Sequence, residues 1–260
     1  MQTYDVIVIG GGPGGTTAAR ILAQAGKKIA LIEDSHWGGT CLNAGCIPTK
    51  MLLGATAPQG LLHAQERVRI AKGSIQVDFT ALQNRVTRFT KGTSQTLAKS
   101  LAALGIDLFE GRGVCTGQNE GQTQVQVTTA QGPVSLAGTK IILACGTASA
   151  SFPGLVPDHQ NVLDSTDLLR ITAIPESLIV VGAGAIGLEM ADFFSAMGST
   201  VTIVEAAAHI APTEDADIAK EMLRALTKKG ITCHEGARAK SLLSVDDKAR
   251  LELEDGTVIT

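Results

Sequence analysis

Two cysteines five residues apart, Cys41 and Cys46, stand in the segment Gly38-Gly39-Thr40-Cys41-Leu42-Asn43-Ala44-Gly45-Cys46-Ile47-Pro48-Thr49-Lys50. Such a pair can cycle between dithiol and disulfide, hold half of a zinc site, or be inert. No second Cys or His pair at ligand spacing follows, and His36 and His63 read as isolated surface histidines, so redox exchange is favoured and no metal is expected. On a regular helix the two Cα atoms would lie beyond the roughly 7 Å limit for a disulfide. Cys41 is therefore expected in a loop or distorted turn entering a helix, whose first turn suits Pro48. A thiol at a helix amino terminus has its thiolate stabilised, which lowers its pKa and suits it to exchange.

The elements that must position this pair form a repeat. Tyr4–Ile9 reads as a strand, Gly10-Gly11-Gly12-Pro13-Gly14-Gly15 as a turn, Thr16–Ala25 as a helix and Lys28–Glu33 as a second strand. The same order recurs at Leu178–Val181, Gly182-Ala183-Gly184-Ala185-Ile186-Gly187, Leu188–Met197 and Thr200–Glu205. From first glycine to terminal acid is 23 residues in both copies. In this pattern the first glycine makes the tight turn, the second admits a pyrophosphate to the backbone, and the third lets helix pack on strand. The helix amino terminus then holds the phosphates, and the acid accepts hydrogen bonds from a ribose diol. Two such sites in one chain suit an enzyme that passes electrons between a nicotinamide and a flavin. At the second acid, Glu205 would repel a 2′-phosphate and Ala206-Ala207-Ala208-His209-Ile210 offers no Arg or Lys to bind one, which favours NAD over NADP.

Between the copies, Phe79, Leu82, Val86, Phe89, Leu97, Leu101 and Leu104 fall near a 3.6 period, predicting an amphipathic helix over 79–104 with Gly92 as a weak point. Ile106–Cys115, Gln122–Thr129 and Pro133–Leu136 read as short strands of an antiparallel layer, and Lys140–Cys145 as a further buried strand. Gly146–Pro157 reads as an interdomain connection. The resulting fold class is α/β, two Rossmann-like dinucleotide-binding domains at 1–147 and 148–260. A net charge of −3 gives no electrostatic case for nucleic acid or an anionic membrane. No apolar run reaches about 18 residues and no signal peptide precedes Tyr4, so a cytoplasmic protein is expected. Five cysteines, three of them scattered at Cys115, Cys145 and Cys233, do not form a secreted disulfide framework.

The segment GGTCLNAGCIPTK resembles the redox motif of the pyridine nucleotide–disulfide oxidoreductases. The segments Asp164–Leu169, Ile174–Met190 and the Glu205 strand are most similar to the dihydrolipoamide dehydrogenase branch of that family. The resemblance implies FAD on the first unit, at Gly10, Gly12, Gly14, Gly15 and Glu33, with Gly39, Thr40, Gly113, Ala144, Gly146 and Thr147 also lining it. It implies a Cys41–Cys46 disulfide, Cys41 exchanging with substrate and Cys46 facing the flavin, with Lys50 beside the ring and paired to Glu189. NAD is implied at Gly182, Gly184, Ile186, Gly187 and Glu205, with Ala239 near its adenine. The implied substrate is lipoamide, the implied assembly a homodimer serving a 2-oxoacid dehydrogenase or glycine cleavage complex. Mercuric and glutathione reductases are the neighbouring possibilities.

Two departures stand out. Ala185 occupies a position where some relatives place a tyrosine gate, and Cys145 one where threonine or alanine is common. Relatives are also longer, so the segment that completes the FAD site and the domain carrying a His–Glu acid–base pair are expected to lie outside these 260 residues. The rival expectation is accordingly a nucleotide-binding fragment without turnover.

Overall fold

The computed structural model describes residues 1–150, 154–245 and 248–260, and residues 243–245 and 248 are described by backbone alone. Two compact units emerge, one of residues 1–48 and 86–148, the other of residues 49–85 and 149–260. Residues 49–85 thus cluster with the second unit rather than with the strands they follow in sequence. The Gly146–Pro157 connection is described apart from residues 151–153, which lie outside the described residues.

In the first unit, β1 (Gln2–Ile9), β2 (Ile29–Glu33) and the start of β3 (Asp107–Asn119) run parallel, in that order. The β-branched residues of β1 and β2 are buried on both faces, as a parallel sheet covered by helices requires. From Gly111 onward β3 turns to antiparallel pairing with β4 (Gln122–Thr129), which pairs in turn with β5 (Gly132–Leu143). β5 then pairs parallel with β1, so the five strands close on themselves. The segments read as separate strands at Pro133–Leu136 and Lys140–Cys145 are one continuous strand. Gly138 falls between the two expected segments. It lies inside β5, opposite β1, where a Cβ would come within 2.8 Å of the Ile7 side chain.

Helix α1 (Pro13–Gln24) joins β1 to β2, with Pro13 in the first turn where its missing N–H costs nothing. It buries Ala19 against Val6, Val8, Ile29 and Leu31. The short α2 (Gly39–Ala44) and the long α3 (Cys46–Arg67) follow. The amphipathic helix appears as α4 (Phe79–Ala102), two residues shorter than expected, burying Leu82, Val86 and Leu101 but leaving Phe89 exposed, while Leu104 lies exposed in the turn beyond it. Leu101 joins the cluster under β1 and β2, so truncating it to alanine would cost about 2–5 kcal/mol.

After the single-turn α5 (Ser165–Leu168), the second unit repeats the pattern: β6 (Ser177–Val181), α6 (Ala185–Ala196), β7 (Thr200–Val204), then α7 (Ala216–Lys228) and β8 (Thr232–His234). β6, β7 and β8 are parallel and adjacent, as are β1, β2 and β3. An antiparallel sheet of β9 (Ala239–Val245), β10 (Lys248–Leu253) and β11 (Val258–Ile259) completes it. Leu251 and Leu253 of β10 pack with Val204 of β7 in one buried cluster. The fold class is the α/β arrangement with parallel-rich sheets that the repeat predicts. Among the described residues, no helix is long and apolar enough to cross a membrane.

Candidate functional site

Each glycine turn is closed by its own acid. In the first unit Glu33, at the end of β2, accepts from the Gly11 N–H at 2.6 Å and from the Ser35 N–H at 2.9 Å. In the second, Glu205 accepts from the Ala183 N–H at 2.6 Å and from the Ala207 N–H at 2.7 Å. Gly10 and Gly182, the first glycines, take φ of +112° and +101°, which a side chain would resist. The third glycines sit where helix crosses strand: a Cβ on Gly15 would stand 1.8 Å from the Gly10 carbonyl oxygen, and one on Gly187 2.1 Å from that of Gly182.

The middle positions are different. Gly14 and Gly184 face open space, and Gly12 meets nothing closer than the Gly39 Cα at 3.8 Å. Gly12 and Gly184 are the N-caps of α1 and α6, and neither helix start has a side-chain cap. Uncapped first-turn N–H groups beside a space that a Cβ would fill suit an anionic pyrophosphate. Both turns therefore fit a dinucleotide. Glu205, directly after β7, is 8% exposed, and its carboxylate is held by the two backbone N–H groups.

The structure brings several of the expected residues to the first turn. The Ala144 carbonyl abuts Gly10, whose Cβ would meet it at 2.1 Å, and a Cβ on Gly39 would stand 2.7 Å from the Gly12 Cα. Gly146, with φ +69°, and Thr147 follow Ala144 beyond the end of β5. Gly113, on β3, would place a Cβ 3.1 Å from the Ile32 side chain and 3.6 Å from that of Ile9, the residues just before Glu33 and Gly10. Thr40 is exposed on α2, and its carbonyl would lie 3.0 Å from a Cβ on Gly45.

Cys41 belongs to α2 rather than to a loop, and the distortion falls one turn later. Gly45 leaves the helical region at φ −155°, ψ −114°, and α3 restarts at Cys46. This break brings the two thiols together: a hydrogen bond to Cys46, with burial adding to it, raises the Cys41 pKa above the ordinary thiol value. That is opposite to the lowering expected of a thiol at a helix start, because a thiol donating to its neighbour is favoured in its protonated form. Cys41 and Cys46 are both free thiols here, Cys46 the more exposed. Asn43 fixes the short helix by donating to the carbonyls of Trp37 (3.1 Å) and Gly39 (2.9 Å), and buried Ser94 donates to the Trp37 carbonyl as well.

Lys50, one turn beyond Cys46 on α3, forms an ion pair with Glu189 of α6. Ile186 projects 60% exposed from the start of α6, a large apolar side chain left bare. Ala185 beside it is exposed and carries no ring. Ala239, expected near an adenine, packs with Val204, Leu251 and Leu253. Ala237 lies closer to the acid, its N–H donating to the Glu205 carbonyl at 2.8 Å. His36 bonds Ser35 and His63 bonds Glu66, and no cluster of three or more His, Cys, Asp or Glu that could hold a metal occurs among the described residues.

Sequence reasoning missed Trp37, Asn43, Ser94 and Glu235. Trp37 and Asn43 sit inside or beside the motif, where their types could have drawn notice. Ser94 and Glu235 reach their partners across 57 and 25 residues, a distance at which sequence carries no signal.

Comparison with known proteins agrees with this geometry. The model of the family described as pyridine nucleotide-disulphide oxidoreductase matches residues 4–260. A dihydrolipoyl dehydrogenase of Chlorobaculum tepidum is 36% identical over 251 residues, covering 96% of this chain and 53% of that protein. One of Bacillus subtilis is 33% identical over 269 residues, covering 99% of this chain and 56% of that protein. The chain thus spans about half the length of the curated relatives it matches. RclA of Escherichia coli, a HOCl-induced flavoprotein disulfide reductase solved as a Cu(II) complex, is similar at a TM-score of 0.82 and 30% identity, over 100% of this chain and 55% of that one. LpdA of Mycobacterium tuberculosis shares the fold at a TM-score of 0.88 and 24% identity, over 100% of this chain and 56% of that one. With a redox motif whose thiols meet and two glycine turns closed by acids, the chain belongs to the pyridine nucleotide-disulphide oxidoreductase family.

Proposed function

We propose that this chain is the nucleotide-binding part of a cytoplasmic, FAD-dependent enzyme that oxidises dihydrolipoamide with NAD. The observation that carries the reading is the meeting of the Cys41 and Cys46 thiols at the entry of α3, in the unit whose glycine turn holds Glu33. FAD is assigned to Gly10, Gly12, Gly14, Gly15 and Glu33, flanked by Gly39, Thr40, Gly113, Ala144, Gly146 and Thr147. NAD is assigned to Gly182, Gly184, Ile186, Gly187 and Glu205, with Ala239 beyond. The uncapped helix starts and the open faces of Gly14 and Gly184 support both assignments.

In the oxidised enzyme a substrate thiolate attacks Cys41 Sγ, the Cys41–Cys46 bond breaks, and Cys46 leaves as a thiolate. The second substrate thiol then attacks the substrate sulfur of the mixed disulfide, forming lipoamide and releasing Cys41. One cysteine thiol and one cysteine thiolate result for one substrate disulfide: the proton of the second substrate thiol passes to the cysteine sulfurs, and the other proton left to solvent when the attacking substrate thiolate formed. Held by the first glycine turn and Glu33, FAD would supply the chemistry that accepts the electron pair from these sulfurs and passes it as hydride to NAD. Lys50, held by Glu189, supplies positive charge where the reduced cofactor gains negative charge. Glu205 selects NAD because its carboxylate repels a 2′-phosphate, and the three alanines after it provide no cation.

The whole enzyme is assigned as a homodimer serving a 2-oxoacid dehydrogenase or glycine cleavage complex. The test is the visible spectrum of the chain with added FAD, before and after one equivalent of dithiothreitol. A protein-bound flavin spectrum that gains a long-wavelength thiolate–flavin band supports the reading. A chain that stays colourless after removal of free FAD overturns the FAD assignment for it.

A further inference from the structure

Glu205 opens a loop, residues 205–211, both ends of which meet the second glycine turn at a single residue. The Ala183 N–H donates to the Glu205 carboxylate at 2.6 Å, and the Ala183 carbonyl accepts from the Ala211 N–H at 2.9 Å. Ala211 takes φ +48° to do so, a left-handed conformation that its Cβ disfavours. The first unit closes the same way, the Gly11 carbonyl accepting from the N–H of Gly38 at 2.8 Å. There the left-handed position, φ +96°, falls to a glycine and carries no such penalty. The second unit needs something else to hold the loop.

That hold is visible one residue earlier. Ile210 is fully buried, and its N–H donates to Glu235 Oε1 at 2.8 Å. Glu235 comes directly after β8, where the backbone is already tied to the same loop: the Glu205 N–H donates to the His234 carbonyl, and the Gly236 N–H to that of Ala207. Among these cross-links the Glu235 contact is made by a side chain, so substitution can remove it while leaving the backbone bonds in place.

We propose that Glu235 is a positioning residue for the second nucleotide site, fastening the far end of the acid loop so that Glu205 is presented to a ribose diol. The inference rests on the reading of that site as an NAD site. Glu235 is not part of the glycine fingerprint and touches no nucleotide in this role. It acts through Ile210.

NADH and NADPH are titrated into the full chain, unaltered and as E235A and E235Q, with thermal melting recorded for each. E235A is expected to bind NADH about fivefold more weakly, with a smaller preference for NADH over NADPH, and to melt somewhat lower because the buried Ile210 N–H loses its acceptor. The amide oxygen of E235Q still accepts from Ile210, so that variant is expected to stay within about twofold of the unaltered chain. An E235A protein that binds NADH normally, or one that melts lower while keeping its nucleotide preference, overturns the proposal. So does an E235Q protein that loses as much as E235A. If the unaltered chain binds no NADH, the NAD reading itself fails and this inference falls with it, an outcome distinct from normal binding by E235A.

Discussion

Gly187 lies directly beneath Gly182, so close that a Cβ on it would stand 2.1 Å from the Gly182 carbonyl oxygen, while Gly184 two residues into the same turn faces open space. Alanine at the two positions should therefore separate folding from binding. G187A is expected to destabilise the second unit by about 2 kcal/mol or more, because backbone must move to admit the methyl group. G184A should melt like the unaltered chain and bind NADH at least about tenfold more weakly, since the methyl occupies the pyrophosphate space. Calorimetry and NADH titration of both variants check this, and an unimpaired G184A would remove the second site from the NAD assignment.

The hydrogen bond from Cys41 to Cys46 holds the Cys41 thiol above its ordinary pKa, so less of it is thiolate at neutral pH. Removing the partner should lower that pKa. In C46A, alkylation of Cys41 by iodoacetamide is expected to reach its half-maximal rate at a lower pH than in the unaltered dithiol chain. Peptide mass spectrometry over a pH series distinguishes Cys41 from the other cysteines. An unchanged or upward-shifted profile would mean that Cys46 does not set the state of Cys41.

His159 and Asp167 form an exposed pair at 2.8 Å, and their pKa values move apart. The hydrogen bond to Asp167 raises that of His159, whose contribution to stability is full below about pH 6.5 and is lost as pH rises through its folded value. The same bond lowers that of Asp167, whose contribution is full above about pH 4 and is lost as pH falls through its folded value. Both contributions coexist between about pH 4 and 6.5. H159Q is expected to be slightly less stable than the unaltered chain at about pH 5.5, and the gap should narrow at about pH 9. Urea melts at the two pH values test this, and a gap that widens with pH would refute the sign.

The Lys50–Glu189 pair is largely exposed on the lysine side, so its loss should matter little to folding. E189Q is expected to shift stability by less than about 1 kcal/mol. If Lys50 stands beside FAD as proposed, the same variant should alter the flavin spectrum of the FAD-loaded chain. A spectrum indistinguishable from that of the unaltered chain would leave the pair a surface contact.

As a fragment of the proposed enzyme, the chain is expected to show little or no lipoamide-dependent NADH oxidation. None of its five histidines has an assigned part in acid–base exchange with Cys41. Turnover at rates ordinary for enzymes, roughly 1–1,000 per second, would require an acid–base group within these residues.

The repeat was legible because its devices are local: a glycine whose φ must be positive, an acid at fixed spacing, a helix start between them. Both acids stand where the spacing puts them, and both turn toward their own glycine loop. β5 spans the two segments expected as separate strands, and Gly138 between them is required inside the strand by the Ile7 side chain opposite. The site of the helix break was also misplaced. Cys41 and Cys46 had to escape a regular helix to meet, but whether Cys41 or Gly45 would yield depends on what anchors α2. That anchor is Asn43 and Ser94 converging on the Trp37 carbonyl, one of them from a helix half a domain away in sequence. Glu235 was invisible for the same reason.

Trp37 is the one tryptophan of the chain, and a Cβ on Gly11 would stand 2.9 Å from its ring. Its indole is 6% exposed and its N–H donates to Glu110 at 3.3 Å. Ultraviolet emission excited at tryptophan therefore originates from a single place, the underside of the first glycine turn. The protein carries its own lamp there: loading of that turn by an absorbing ring should dim it, and events in the second unit can be followed by other signals without confusing the two.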